Sequence, residues 1–310
     1  MEDIGTLTEQ FIRYMQTEKR SSEHTLRAYR NDISDFFECI YDGDSVIDVD
    51  EITVLIVRRW VAELIKKGLN PRTVNRKTAA LNSFFKYLMR KKKIAHNPAF
   101  GISKPKVAKK LPAFIPEEKL ATALDFSKNS ITDYSSYRDY VILETFYASG
   151  MRISELANLK HRDLDFSLRQ IKVLGKRNKE RIIPMTESIR QVLEEYLYRK
   201  KIFFPDQEND CLFLTSKGKR ISIKVVYLGV KRSLQLGGVT GKSNPHVLRH
   251  TFATHILNNG ADLNSVKELL GHASLAATQI YTHVTFEKLK TIHNKAHPRA
   301  KVKQLKKLKP

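Results

Sequence analysis

The sequence predicts a mainly α protein of two domains, a helical bundle followed by a mostly helical domain that carries one small antiparallel β-sheet. Three observations lead there. The 310 residues exceed one typical domain. Apolar residues recur at helical spacing through the first hundred residues and again from Glu187 onward. Between these regions a single patch alternates and is rich in β-branched residues.

Four amphipathic helices are expected first, in "LTEQFIRYMQTEK", "HTLRAYRNDISDFFECI", "VLIVRRWVAELIKKG" and "TVNRKTAALNSFFKYLMRKK", enough for one small bundle. Gly68 is placed to end the third helix. Asn70-Pro71 then turns the chain and Thr73 opens the fourth. From Lys86 to Lys110 there are nine Lys/Arg and no Asp or Glu, with Pro98 and Pro105 interrupting regular structure. By composition this is a linker whose charge suits a path along phosphates. The expected division is a bundle over residues 1–106, a linker over 107–111, a second domain over 112–298 and a basic tail over 299–310.

In the second domain, "DLDFSLRQIKVLGKRNKERIIPM" reads as a hairpin with "GKRNKE" as its turn. Helices resume with "ESIRQVLEEYLYRKK". "FEKLKTIHNKAHP" has Phe286, Leu289 and Ile292 at helical spacing, a short amphipathic helix near the end of the chain. From Lys288 the last 23 residues hold nine Lys/Arg and no acid. There are no internal repeats.

The 55 Lys+Arg against 33 Asp+Glu leave a formal charge of +22. This points to a polyanionic partner, nucleic acid before an anionic membrane surface. No apolar run approaches the roughly 20 residues needed to span a bilayer, and "MEDIGTLTEQ" is unlike a signal peptide, so the expected location is cytoplasmic. Cys39 and Cys211 lie far apart, with neither metal-ligand spacing nor a disulfide framework, and are expected to be buried filler.

The stretch "NPHVLRHTFATH", residues 244–255, raises the question of chemistry. His246 and His250 stand one helical turn apart, a zinc-like spacing. No carboxylate completes such a set, and Arg249 between them would repel a cation. His250 and His255 keep step with Phe252 and Ile256, which suits burial on a core face. His246 and Arg249 fall in the first turns of a helix, where unpaired backbone N–H groups and the helix dipole attract anions. An anion cradle uses all of these features.

The surrounding sequence resembles the tyrosine recombinase/integrase family, and within it the Xer-type recombinases. "ASGMRISELANL" is similar to the box holding the family's first catalytic arginine, here Arg152. "LGKRNKERIIPM" is similar to the hairpin with the catalytic lysine, here Lys176. "HVLRH" matches the His-x-x-Arg motif, here His246 and Arg249, and "LLGHASLAATQIYTHV" matches the box with the second histidine and the nucleophile, here His272 and Tyr281. The elements occur in family order from about Leu7 to Arg299. Singly, each has an ordinary use: Arg152 can pair with Glu155, Lys176 is one of several hairpin charges, and Tyr281 is an aromatic on a helix. The ordered set distinguishes the chain.

The resemblance implies a SAM-like core-binding bundle, a catalytic domain, and site-specific recombination through a 3′-phosphotyrosyl intermediate and a Holliday junction, without metal or cofactor. Elementary chemistry is consistent with it. Charge developing on nonbridging phosphate oxygens can be gripped bidentately by Arg152 and Arg249. Ionising a tyrosine of pKa about 10 at pH 7 costs roughly 4 kcal/mol, so Tyr281 needs cationic neighbours and a base. His246 is expected to take its proton, His272 to hydrogen-bond the phosphate, and Lys176 to protonate the departing 5′-oxygen. Glu155 is expected to hold Arg152, Gly271 to stop a helix, and Ser274 to cap the next one.

By the same resemblance the partners are double-stranded DNA and a second recombinase, self or paralogue, in a tetramer on two sites. A DNA translocase of the division machinery is a further implied partner. Chromosome dimer resolution is the implied role, and docking of the terminal helix on a neighbouring protomer the implied regulation. An integrase of a mobile element would share every catalytic residue, though the compact N-terminus lacks an added arm-binding domain. A metal-dependent nuclease would be sensitive to chelator. A non-catalytic architectural protein would need the charge but not the residue set.

Overall fold

A computed structural model describes residues 3–40, 48–107, 113–175, 180–205, 210–241, 243–271 and 283–299, the side chains of 283–288 excepted. The chain forms two compact units, Met1–Lys110 and Leu111–Pro310. Residues 108–111 of the expected linker lie outside the described residues.

In the first unit the four expected amphipathic patterns are the helices α1 (Ile4–Thr17), α2 (Glu23–Ile40), α3 (Val54–Lys66) and α4 (Pro71–Arg90). Asp3 and Thr53 cap α1 and α3 by accepting from backbone N–H groups. Gly68 follows α3 with φ 72, the left-handed geometry that ends a helix at least cost. The fourth helix opens at Pro71 rather than Thr73, because Asn70 caps it and a proline at the first position gives up only an N–H that has no helical partner. Phe11, Phe36, Phe84 and Phe85 fill the core, with Trp60 edge-on to Phe36 at 5.2 Å.

Two expectations for this unit are corrected. The basic segment from Lys86 is not a linker. Residues up to Arg90 are helical, and Ile94, Ala99 and Ile102 are buried in the same core. Asn97 bonds the Asn82 side chain, and Asn75 donates to Pro105 O at 3.2 Å, so the chain folds back along α4 despite its charge. Cys39 is exposed rather than buried, on the last turn of α2, where its thiol donates to Glu63 at 3.3 Å. In the second unit Cys211 is half-buried.

The second unit opens with α5 (Glu117–Asn129) and α6 (Tyr134–Ser149). Nearly every side chain of α6 is buried, as expected of a helix enclosed on all sides. It lies among α5, the later helices α8 (Glu187–Phe203), α9 (Ile223–Leu236) and α10 (Pro245–Asn258), and the short α7 (Ile153–Ala157). The sheet is β1 (Leu164–Asp165), β2 (Gln170–Leu174) and β3 (Glu180–Pro184), antiparallel in that order. Register sets Ile171 opposite Ile183 and Val173 opposite Arg181, so one arginine shares the inward face with apolar residues. The unit ends with α11 (Leu263–Leu270) and α12 (His283–Ala296). Among the described residues no helix is long and apolar enough to cross a membrane.

The terminal helix packs on α10, α11 and β3 of its own chain. Its buried face runs Leu289, His293, Ala296 and continues to His297, with Ile292 alongside. The Nε2 atoms of His293 and His297 lie 2.9 and 3.2 Å from the carbonyls of Ala148 and Tyr147. A carbonyl only accepts, so both rings carry their proton on Nε2. Two of the residues that dock this helix are therefore histidines, which an apolar-spacing pattern does not count. Of the two histidines expected in the core, His255 is buried and His250 is half-buried.

Candidate active site

Helix α6 ends at Gly150, whose φ is 57, and the chain turns at once to Arg152, the residue before α7. A Cβ at position 150 would lie 2.2 Å from a ring carbon of Phe252, so glycine is required by both conformation and space. The turn fixes Arg152 against Glu155. Glu155 accepts from the Arg152 backbone N–H at 2.6 Å and from its Nη1 at 2.9 Å. Arg181, from β3, gives the same carboxylate two further bonds, 2.9 and 2.8 Å. Burial raises the Glu155 carboxyl, but bonds and charge from Arg181, then bonds from Arg152, outweigh it and hold it below the ordinary carboxylate range.

On the other side stands the end of α11. Gly271 closes this helix with φ 65, as expected. Its last three carbonyls each accept from a different arginine. Leu269 O takes Arg181 Nε at 3.1 Å, Leu270 O takes Arg249 Nη2 at 2.6 Å, and Gly271 O takes Arg152 Nη2 at 3.3 Å. Cations suit the negative end of a helix dipole, and these bonds occupy carbonyls left without helical partners. Arg249 also donates to Gly150 O at 2.7 Å, which joins the two glycine turns.

Two guanidiniums thus bind one carboxylate and a third, Arg249, feels its charge, leaving an excess of positive charge among the described residues. Arg249 registers it: burial first, then the Arg152 charge, pushes its pKa down to about 10. It remains a cation at pH 7. Arg181 is buried, whereas Arg152 and Arg249 are half-buried and open to a ligand.

His246 lies exposed in the first turn of α10, one turn before Arg249. The expected backbone cradle at this helix start is absent. Pro245 has no N–H, His246 and Val247 donate theirs to Asn244 Oδ1 at 3.0 and 3.1 Å, and Leu248 donates to Asn244 O. Anion binding therefore falls to side chains. Lys176, His272, Ser274 and Tyr281 lie outside the described residues, although their described neighbours are the hairpin strands, Gly271 and His283. Arg181 escaped the sequence reading as one of many hairpin charges. Its signal was phase, since it sits two residues before Ile183 on the inward face.

Residues 113–288 match the model of the phage integrase family, and residues 8–92 match the phage integrase N-terminal SAM-like domain. The chain is 38% identical to the tyrosine recombinase XerC of Listeria innocua, covering 97% of this chain and 100% of that one. It is also 38% identical to XerD of the same organism, covering 96% of this chain and 100% of the relative. Equal identity does not assign it to either. Among solved structures, the XerH site-specific recombinase bound to palindromic difH substrate aligns with a TM-score of 0.70 at 24% identity, over 93% of this chain and 84% of that one. The chain belongs to the phage integrase family and so to the tyrosine recombinases, site-specific enzymes that cleave and rejoin DNA.

Proposed function

We propose that this chain recombines double-stranded DNA at specific sites with Arg152, Lys176, His246, Arg249, His272 and Tyr281 as its catalytic set. One observation carries the residue assignment: Arg152 and Arg181 bind Glu155 and Arg249 lies within reach of its charge, among the described residues a surplus of fixed positive charge that a phosphodiester relieves. Arg152 and Arg249 grip the nonbridging oxygens. Tyr281 Oη attacks phosphorus as His246 takes the phenol proton, and the bond to the 5′-oxygen breaks with its electron pair leaving on that oxygen. Lys176 supplies the proton there, while His272 hydrogen-bonds the phosphate. The 3′-phosphotyrosyl bond conserves the energy of the broken one, so a second strand's 5′-hydroxyl reverses the step without ATP.

The first unit serves as the core-binding domain and the second as the catalytic domain. Two sites are exchanged by four protomers, of this chain alone or with a paralogous recombinase. Chromosome dimer resolution in the cytoplasm, with a DNA translocase as further partner, is the role best supported by the likeness to XerC and XerD at equal identity.

A nicked suicide substrate, whose short 5′-hydroxyl fragment diffuses away, tests the chemistry. Wild-type protein is expected to form a detergent-stable adduct with this DNA, with or without chelator. Tyr281→Phe is expected to bind the DNA and form none. An adduct with the Phe variant, or a wild-type adduct lost on adding EDTA, would overturn the reading.

A further inference from the structure

Arg181 occupies a position where a strand ordinarily places an apolar residue. It faces inward with Ile183, directly across from Val173, and is buried, as is its partner Glu155. Burying an ion pair in a core is a poor way to gain stability, because desolvation consumes most of the attraction. The position therefore calls for another use, and its bonds supply one. The terminal nitrogens of Arg181 take both oxygens of Glu155, whose oxygens also hold Arg152 by side chain and backbone. Its Nε holds Leu269 O, and its stem lies so close to Gly271 that a Cβ there would stand 2.9 Å from Arg181 Cδ.

One side chain thus ties three segments together: the hairpin strand five residues beyond Lys176, the turn carrying Arg152, and the helix end that runs into His272. We propose that Arg181 is a positioning residue for DNA cleavage, setting the Arg152 guanidinium through Glu155 and through the end of α11, where Leu269 O takes Arg181 and Gly271 O takes Arg152. The inference rests on the reading of Arg152 as a phosphate-binding arginine. Arg181 is buried, and each of its three nitrogens donates to a protein partner: two to Glu155 and the third to Leu269 O. With Arg181 removed, Arg152 keeps its bonds to Glu155 and Gly271 O, but nothing from β3 holds that carboxylate or Leu269 O in place.

Single-turnover cleavage of the suicide substrate at saturating DNA separates positioning from mere support. Arg181→Met is expected to slow adduct formation about 10- to 100-fold, the range for losing a partner that orients a contacting group. DNA affinity should change by no more than about threefold, because phosphate contacts set it. Arg181→Lys keeps charge and bulk, guards against a folding defect, and should recover part of the rate. If Arg181 acts through Glu155, Arg181→Met/Glu155→Gln should cleave about as slowly as the slower single variant. Multiplying effects, an unchanged rate, or a loss wholly in affinity would overturn the proposal. A second readout needs no DNA: the Nε–H nuclear magnetic resonance signal of Arg152 should shift or broaden in Arg181→Lys. If wild-type protein formed no adduct, the catalytic reading would fall, and this signal would still decide whether Arg181 places Arg152. An Arg152 signal unmoved by the substitution would rule that placement out.

Discussion

In the first unit Asp32 and Asp35 on α2 face Arg76 and Lys77 on α4, two carboxylates against two cations. In the second unit Arg152 and Arg181 pair with Glu155, and Arg249 beside them adds a third cation with, among the described residues, no further carboxylate partner. Both clusters draw on arginine and a nearly fully buried carboxylate, Asp32 at 1% and Glu155 at 6% exposure. Charge balance separates them. The first neutralises itself and cross-links two helices, so it is complete as built. The second holds its surplus cations apart with backbone carbonyls and, among the described residues, keeps more cations than carboxylates. Counting ion pairs would class the two together, whereas counting unmatched charge separates them, and the unbalanced one is the proposed anion site.

The sharpest way to break the comparison is to remove the buried carboxylate of the balanced cluster. Asp32→Ala leaves Lys77, itself 7% exposed, with the rim residue Asp35 as its carboxylate partner. Breaking a buried pair from one side costs about 3–5 kcal/mol. Urea unfolding should show that loss, while folded, DNA-bound protein forms adduct at the wild-type rate. The unbalanced cluster should respond in the opposite sense. Arg152→Lys and Arg249→Lys keep the charge but lose the planar fork, and each should raise the cleavage barrier by about 2–4 kcal/mol, the range for a lost oxyanion donor. Affinity and unfolding should change far less. A wild-type cleavage rate in either variant would make that arginine structural.

The same contrast explains what local pattern could and could not reveal. The four helices of the first unit, the hairpin, the stop at Gly271 and the pairing of Arg152 with Glu155 all follow from periodicity or short-range spacing, and all are found. Contacts between distant positions are another matter. Asp32 with Lys77, Glu155 with Arg181, and Arg249 with Leu270 depend on tertiary packing that a period of 3.6 or 2 does not encode. Asn244 illustrates a second limit. A helix start with an arginine nearby suggests an anion cradle, yet Pro245 and the Asn244 cap leave the first-turn N–H groups occupied or missing. The basic stretch after α4 shows a third, because Ile94, Ala99 and Ile102 anchor a segment whose composition is dominated by lysine.

Beneath α12 lies a third kind of polar cluster, neutral throughout, and it gives a pH prediction. His255 Nε2 lies 2.9 Å from Ile115 O and must carry the proton, so its Nδ1 accepts from the Tyr147 hydroxyl at 2.8 Å. His297 Nδ1 accepts from the Arg299 backbone N–H at 3.2 Å, and His293 Nδ1 is buried without a hydrogen-bond partner among the described residues. A second proton would meet a donor at His297 and no described partner at His293, and at His255 it would require the Tyr147 hydroxyl to turn from donor to acceptor. Burial lowers all three, His293 to about 4, and the neighbouring His293 charge lowers His297 further. Arg299, paired with Glu144 and Asp125, faces the same cluster, and Glu117 lies near His255 and Tyr147. The folded pKa values lie below the unfolded one, so the unfolded chain binds more protons as pH falls. The docked state keeps its full stability above about pH 6.5 and loses it progressively toward pH 4. For His293 alone the loss should reach roughly 2 kcal/mol near pH 5. The protection of α12 amides, after allowance for the slower intrinsic exchange at low pH, should fall over this window in wild type and less, by that share, in His293→Gln. An equal fall in both would show that another group controls docking.

The smallest effect tests the surplus charge itself, without DNA or catalysis. Sulfate resembles a phosphodiester in size and oxygen geometry, and it should bind where Arg152 and Arg249 are half-buried and, among the described residues, pair with no carboxylate beyond Glu155. At a few times its dissociation constant it should stabilise the second unit by about 1 kcal/mol through mass action. Sulfate also strengthens any fold by exclusion from the surface, so wild type alone is uninformative. The decisive quantity is the sulfate-induced rise in melting temperature of wild type minus that of Arg249→Met at equal ionic strength, in which the general effect cancels. Asp32→Ala supplies the converse control when the transition of the second unit is read, because the substitution leaves Arg76 unmatched in the first unit only, and the second unit should gain as much from sulfate as in wild type. A positive difference for Arg249→Met, with none for Asp32→Ala, would locate the unmatched charge at the arginine turn. If all three proteins gained equally, the surplus counted there would already be neutralised by groups outside the described residues.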